Sequence, residues 1–424
     1  MRSSTLDAFD ALIVGGGPGG VTCALLLAKA GWKIALVEKA AFPRGKVCGE
    51  FLSAANLPLL RHLGMAESFL ELAGPDVRRV GLFSGDRAVT SDMPRLRTGG
   101  GTGDGTGGAT GDGWGRALGR DHLDTLLLHR AAAAGAHVWQ PWSAVELVNQ
   151  GGGYVCRAVS RESGRCRELR ARIVVAAHGS WEPGPLPTQA ARPASRPSDL
   201  FGFKAHFLES RLPAGLMPLL AFPGGYGGMV HSDHGRVSLS CCIRRDKLKR
   251  ARRAAGPVKA GEAVLAHIKQ SCRGAREALA GARLEEDWLS AGPIQPGIRR
   301  CGFDGIFLVG NAAGEAHPVV AEGIGMAMQS AWLLCECLLA RSAGVLSGQA
   351  VDAVRGRYAA AWRRTLTPRI HAAALIAHWA MRPAAVACAL PLLRVFPGVL
   401  TAGARISGKA NIIPLALPPR PGAC

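Results

Sequence analysis

A chain of 424 residues with 48% hydrophobic side chains is long enough to bury more than one core. Lys and Arg number 51 against 31 Asp and Glu, a formal charge of +20. That balance suggests an acidic carrier protein, an anionic membrane surface, a phosphorylated or carboxylated substrate, or nucleic acid; nucleic acid ranks last, because no reader module and no basic–aromatic interleaving occurs.

The first predicted unit runs from Ala11 to Lys39: a strand (Ala11 to Val14), a glycine turn, an apolar helix to about Ala30, and a strand from Lys33 to Val37 closed by Glu38. Gly15, Gly17 and Gly20 fit G-x-G-x-x-G. The first permits the tight turn, the second lets a diphosphate approach the backbone, and the third lets helix and strand pack closely. The helix start offers unpaired N–H groups to phosphate, and Glu38 stands where a carboxylate meets the hydroxyls of an adenosine ribose. The motif specifies a dinucleotide and leaves NAD and FAD open.

Next comes Phe42-Pro43-Arg44-Gly45-Lys46-Val47-Cys48-Gly49. This stretch resembles the P-x-x-K-x-C-G signature of the geranylgeranyl-reductase branch of the p-hydroxybenzoate-hydroxylase-like flavoproteins. The resemblance implies FAD, with Arg44 against the cofactor and Cys48 near its ring; the competing reading of Cys48 is an inert buried thiol. Helices are predicted at 54–63 and 66–72 and strands at 77–84 and 87–91, followed by Thr98 to Gly113, almost only Gly, Thr and Asp and expected to form a mobile loop. Arg120 with Leu123-Asp124-x-x-Leu127 resembles the family's R-x-x-L-D-x-x-L helix, whose Arg lies on the FAD. Strands follow at 137–139, 144–149, 154–159 and 167–170, then a buried strand from Ile173 into the turn at His178. The family carries Asp at that turn, so His178 departs from its pattern.

A Pro- and Ser-rich linker (186–199) leads to an expected antiparallel sheet with strands at 200–207, 216–222, 227–231 and 236–243. Glycines around Tyr226 mark a bulge or close approach of a ligand, and the resemblance makes Tyr226 a cavity residue. Lys204 and His206 are further candidates; an exposed sheet face is the alternative for both, and the preferred one for His206. A dense basic run, Arg244 to Arg253, opens a helix expected to reach about Ala280.

Gly305 to Val309 reads as a strand leading into Gly310-Asn311-Ala312-Ala313-Gly314, then His317-Pro318 and Glu322-Gly323-Ile324 at the start of a long helix. This resembles the G-D-A-A-x-x-x-x-P-x-x-G-x-G block of FAD-dependent hydroxylases and reductases. It implies that Asn311 stands in for the Asp on the ribityl chain and that the helix start at Gly323 and Ile324 favours the reduced, anionic ring. Glu315, His317 and Glu322 are acid–base candidates. Beyond about Gly344 come a basic helix (351–366), an apolar helical stretch (369–379) and a Pro-interrupted stretch (383–400). These pieces are too short to span a bilayer and fit a membrane interface, a roof over a greasy tunnel, or ordinary packing.

The twelve cysteines show no metal-ligand spacing, so no metal is expected, and no secretory pattern precedes Ala11. A cytoplasmic protein is the expectation, with a peripheral position on the inner face of the membrane as the alternative. The fold class is α/β: a Rossmann-type FAD-binding domain (1–60, 114–185, 295–345), an inserted antiparallel-sheet substrate domain (61–113, 186–294), and C-terminal helices (346–424). By resemblance the function is an FAD-dependent monooxygenase that uses transient NAD(P)H and O2 to hydroxylate an aromatic or polyketide-derived lipophilic acceptor. A reductase of isoprenoid double bonds is the alternative. A halogenase ranks lower because its W-x-W-x-I-P motif is absent, and a non-enzymatic flavoprotein ranks last.

Overall fold

The computed structural model describes residues 7–96, 113–180, 183–189, 194–340, 348–410 and 412. The Gly/Thr/Asp stretch lies outside the described residues except for Gly113, as do 190–193 of the linker. In chain order the main elements begin with β1 (Asp7–Val14), α1 (Pro18–Lys29), β2 (Ile34–Val37), α2 (Leu57–Leu63), α3 (Ala66–Leu72), β3 (Arg79–Ser84) and β4 (Arg87–Asp92). They continue with α4 (Arg120–Ala133), β5 (His137–Trp139), β6 (Trp142–Asn149), β7 (Tyr154–Ser160) and β8 (Cys166–Ala176). Then come β9 (Leu200–Leu208), β10 (Leu216–Phe222), β11 (Gly225–His231), β12 (Val237–Arg244), α5 (Arg245–Ala255), α6 (Ala260–Ser271), α7 (Arg273–Ala278) and β13 (Leu289–Ile294). The chain closes with β14 (Ile306–Leu308), α8 (Gly323–Leu339), α9 (Gly348–Ala380), α10 (Pro383–Val395) and α11 (Gly398–Ala404).

Two large sheets carry the fold. In the first, β14, β8, β1, β2 and β5 lie side by side and parallel, with Leu12 opposite Val174 on one side and Ala35 on the other. Its central strands are apolar on both faces, as a sheet covered by helices on each side requires. α1 and α8 pack together against it, and both are buried nearly all round. In the second sheet β9, β12, β11, β10, β3 and β4 follow one another, with β13 added on β9. One face of this sheet packs on α6 and α7, and the other, through Tyr226 and Cys242, packs on α9 and α10.

Four expectations change. The strands predicted at 167–170 and 173–176 are one strand, β8, whose two ends serve different neighbours: 166–171 pairs with β7 and 169–176 with β1. The second sheet is not wholly antiparallel, because β3 enters beside β10 in parallel. The helix after the basic run is three helices; Gly256, with φ of +78°, ends α5 in a conformation that glycine adopts without strain. The two helical pieces at 351–366 and 369–379 are one, α9, which runs through Pro368. That proline removes one hydrogen bond, and buried Leu366, Arg369 and Ile370 hold the halves in line. The basic run itself is partly paired, Arg245 to Asp199 at 3.0 Å and Arg244 to Asp246 at 3.0 Å, while Lys249, Arg250, Arg252 and Arg253 are exposed.

Candidate functional site

The turn after β1 and the start of α1 open onto a cavity of about 1110 Å³, above the roughly 300–1,000 Å³ of common small-ligand sites. Gly15 sits at φ +110°, where a Cβ would lie 2.6 Å from the Ala177 carbonyl oxygen. At Gly20 a Cβ would fall 2.0 Å from the Gly15 oxygen, so only glycine lets α1 close on the turn. Gly17 differs: it precedes α1 in extended conformation, lines the cavity, and a Cβ there would meet nothing within 4 Å. No side chain caps α1, leaving its first N–H groups for an anion.

Glu38 closes β2 with Oε2 accepting the Gly16 N–H at 2.6 Å and Oε1 the Ala40 N–H at 2.8 Å. Each oxygen keeps a second lone pair for a ribose hydroxyl. Arg44 lies 3.9 Å from Glu38 and 3.5 Å from Asp124, and its Nε is buried with no hydrogen-bond partner among the described residues. An orphaned donor beside a glycine cradle fits a dinucleotide phosphate. Arg120, at the start of α4, is fixed by a bidentate pair with Asp124 at 2.7 and 2.6 Å and lines the cavity. Burial alone would lower its pKa, but the Asp124 charge outweighs burial and holds the guanidinium above its ordinary value.

At the other end, β14 delivers Asn311. Its amide nitrogen donates to Glu315 at 3.0 Å, which directs the amide oxygen away from that carboxylate. Glu315 is buried, which raises its pKa, and accepts the Ser180 hydroxyl at 2.5 Å. Gly323 and Ile324 begin α8 at the cavity; a Cβ on Gly323 would meet nothing within 4 Å, and no side chain caps this helix either. Two uncapped helix starts with open glycine positions face one cavity, which fits the diphosphate and ring ends of FAD. Bound there, FAD supplies two-electron redox and dioxygen chemistry.

Tyr226 and His317 line the same cavity, with the phenol oxygen 3.1 Å from Nδ1. Burial pushes the Tyr226 phenol well up; burial, then the nearby His378, push His317 down to about 4. Both are therefore neutral near pH 7. The unfolded imidazole, with its pKa at the usual 6.5, takes a proton that the folded one refuses. Stability from this group is thus complete above that pH and drains away as pH falls toward 4. His317→Phe should flatten the dependence of Tm on pH across that window, leaving the neutral-pH Tm close to the parent's; an unchanged acid limb refutes it.

Cys48 also lines the cavity, half-buried, with its sulfur accepting the Glu50 N–H at 3.4 Å. Lys204 does not reach the cavity. It is buried at 2% exposure against Glu50, and His206 Nε2 lies 2.7 Å from the other Glu50 oxygen. The cavity candidate Lys204 and the exposed face preferred for His206 both give way to an interior ion cluster: burial raises Glu50, but the His206 hydrogen bond and the Lys204 charge outweigh it and bring it down to about 2. Glu50 also sits at φ +60°, uncommon for a non-glycine residue, and accepts the Arg120 N–H at 3.0 Å. Glu322 is the clearer correction. Its carboxylate is 1% exposed and taken by Ser53 Oγ and Arg369 at 3.2 Å on one oxygen and Lys409 at 3.2 Å on the other. It anchors the start of α8 and has no free face for acid–base work.

Two cavity cations go beyond the sequence-predicted site residues. Lys46 is pushed down to about 8 by burial, with Arg44 and Arg120 adding to it, and its place in P-x-x-K-x-C-G was the available signal. Lys409 lies too far along the chain for any motif to have flagged it. Among the described residues His122, Asp233 and His234 could gather a metal, but Asp233 already accepts the Gly119 N–H at 2.8 Å, Arg236 at 2.8 Å and His122 at 2.6 Å. These contacts tie α4 to the second sheet.

Comparison with known proteins places these features in company. A family model described as an FAD binding domain matches residues 8–367. A 6-methylpretetramide 4-monooxygenase from Streptomyces rimosus is 27% identical over 357 residues, 82% of this chain and 79% of that one. A digeranylgeranylglycerophospholipid reductase from Methanopyrus kandleri is 27% identical over 352 residues, 81% and 78% of the two chains. The solved structure of a flavin-dependent brominase superposes with a TM-score of 0.71 at 18% identity, covering 97% of this chain and 96% of that one, a likeness of fold.

Proposed function

Because this chain belongs to the FAD-binding-domain family, as an FAD-dependent oxidoreductase of the p-hydroxybenzoate-hydroxylase-like superfamily, we propose that it is a monooxygenase of an aromatic or polyketide-derived lipophilic acceptor. The first sheet with its helices is the FAD-binding unit, and the second sheet with α9–α11 encloses the acceptor. One observation carries the reading: the cleft of the two helix starts continues into an apolar chamber. That chamber is walled by Met217, Leu219 and Met229 and roofed by Ile376, Trp379 and Leu393. In it Tyr226 and His317 offer an uncharged hydrogen-bonding pair. Such a pair orients a hydroxyl or carbonyl on an otherwise greasy molecule without burying charge. The Streptomyces relative, named for a monooxygenase reaction and matched over most of its length, supports this choice.

NAD(P)H is the transient reductant in this reading, and Glu38, Arg44, Arg120 and Asn311 hold FAD. The second reading, reduction of isoprenoid double bonds, draws on the Lys46–Cys48 loop facing the cavity and on the archaeal reductase relative. Turnover of lipidic phenols under ¹⁸O₂, followed by mass spectrometry, separates the two. Incorporation of one labelled oxygen is expected. Product formed without label, or saturation of a polyprenyl chain under anaerobic conditions, overturns the monooxygenase reading.

A further inference from the structure

The C-terminal helices carry a surface unlike the rest of the molecule. Every large hydrophobic side chain at 50% exposure or more among the described residues lies between Leu375 and Ile406. On α10, Leu392 (57%), Val395 (71%) and Phe396 just past its end (58%) stand at i, i+3 and i+4 and share one side; Val399 (50%) opens α11 next to them. The opposite side of α10, through Val386, Leu390 and Leu393, is buried on the second sheet. The helix is therefore apolar all round while only one side has a protein neighbour, a pattern foreign to a water-facing helix.

Charge singles out the occupant. After Asp352 the sequence holds no acidic residue, against ten Lys and Arg. Arg382, Arg394 and Arg405, all exposed, flank the apolar residues along the chain. Aliphatic and aromatic side chains flanked by arginines, with no acid, match an anionic lipid interface, where the apolar groups enter the acyl boundary and the cations meet headgroups. No single helix among the described residues is long and apolar enough to cross a bilayer; α9 and α10 pass the length and composition test only as a pair, and they are bent by 102° at their break, which suits a peripheral contact better than a straight span. Leu392 and Val399 have a second property: each is half or more exposed and also lines the cavity. The lining of the chamber and the apolar patch thus share these two residues.

We propose that α10 and α11 form a docking face for an anionic bilayer, and that the cavity mouth at Leu392 and Val399 takes its acceptor from the lipid phase. The docking face stands on these surface observations alone; only the identity of the molecule drawn in as acceptor rests on the function proposed above.

The test is co-sedimentation of the FAD-loaded protein with vesicles of phosphatidylcholine alone or with phosphatidylglycerol. Wild type should pellet with the anionic vesicles and release in high salt. Val395→Asp with Phe396→Asp, both in exposed positions, should bind at least about tenfold more weakly while keeping flavin absorbance and Tm. Arg394→Glu with Arg405→Glu should lose the preference for anionic over neutral vesicles. Wild type that ignores both vesicle types, including one that captures an acidic carrier protein instead, overturns the proposal, as does an aspartate variant that pellets like wild type. None of these readouts requires turnover, so failure of the monooxygenase reading leaves vesicle binding intact and is distinguishable from failure here.

Discussion

Glu322→Ala is expected to destabilise the protein by about 3–5 kcal/mol, because it strips the shared carboxylate from two buried cations. Arg369 is 4% exposed and Lys409 5%, and burial already pushes both pKa values down. Removing Glu322 leaves them facing each other with no anion between them. Arg369 keeps Gln329 at 2.6 Å, and Lys409 keeps the Val320 carbonyl at 2.6 Å, so neither is wholly abandoned, but both lose the charge that offsets their burial. Thermal unfolding should register a fall of roughly 3–6 °C. Glu322→Gln, which can still accept hydrogen bonds, should lose less. Adding Lys409→Met to Glu322→Ala should restore part of the loss, giving a double-mutant cycle well short of additivity. Since Glu322 directly precedes α8, FAD retention should fall with stability. The pH profile of the Gln variant's residual turnover should match the parent's; a lost ionisation would instead make Glu322 an acid–base group.

The second large effect separates binding from folding within one six-residue turn. Gly17→Val should fold normally and bind FAD at least about 100-fold more weakly, a loss of roughly 2.7 kcal/mol or more. Its backbone is extended, its Cβ site is clear of protein atoms, and the new methyls would fill the space kept for the diphosphate. Gly20→Ala should do the reverse in origin: a Cβ 2.0 Å from the Gly15 oxygen and 2.9 Å from Ala177 Cβ forces α1 off the sheet, so the apo-protein itself unfolds at lower temperature. Titration with FAD monitored by flavin fluorescence, alongside Tm of the apo-proteins, checks both. A Gly17→Val protein that retains FAD removes the cradle from the proposed site.

The cofactor ends were legible because their signals are local. A glycine turn between an alternating strand and an apolar helix fixes backbone direction, and the exposed N–H groups follow from helix geometry whatever the rest of the chain does. Hence α1 and α8 begin where the turns at Gly17 and Glu322 imply. Tyr226 could also be placed, by the resemblance of its Gly-Tyr element to the family's, since strand glycines alone leave a bulge as an equal reading. Side-chain partnership was not legible in the same way. Lys204 and Glu50 are 154 residues apart, and Lys409 and Glu322 are 87 apart. A lone Lys or Glu reads identically whether it meets solvent, substrate or an opposite charge.

By itself, then, the amino-acid sequence determined the α/β order and the two glycine-bearing turns, set by near-neighbour backbone constraints, while FAD was implied by its resemblance to the flavoprotein family. Only the tertiary structure decided which charged groups face the cavity and which are consumed in holding it. It also decided that the C-terminal helices close one side of the chamber while leaving their other side bare. The physical reason is desolvation: a buried charge requires a partner, and that partner is chosen by chain packing in three dimensions, which no spacing along the sequence records.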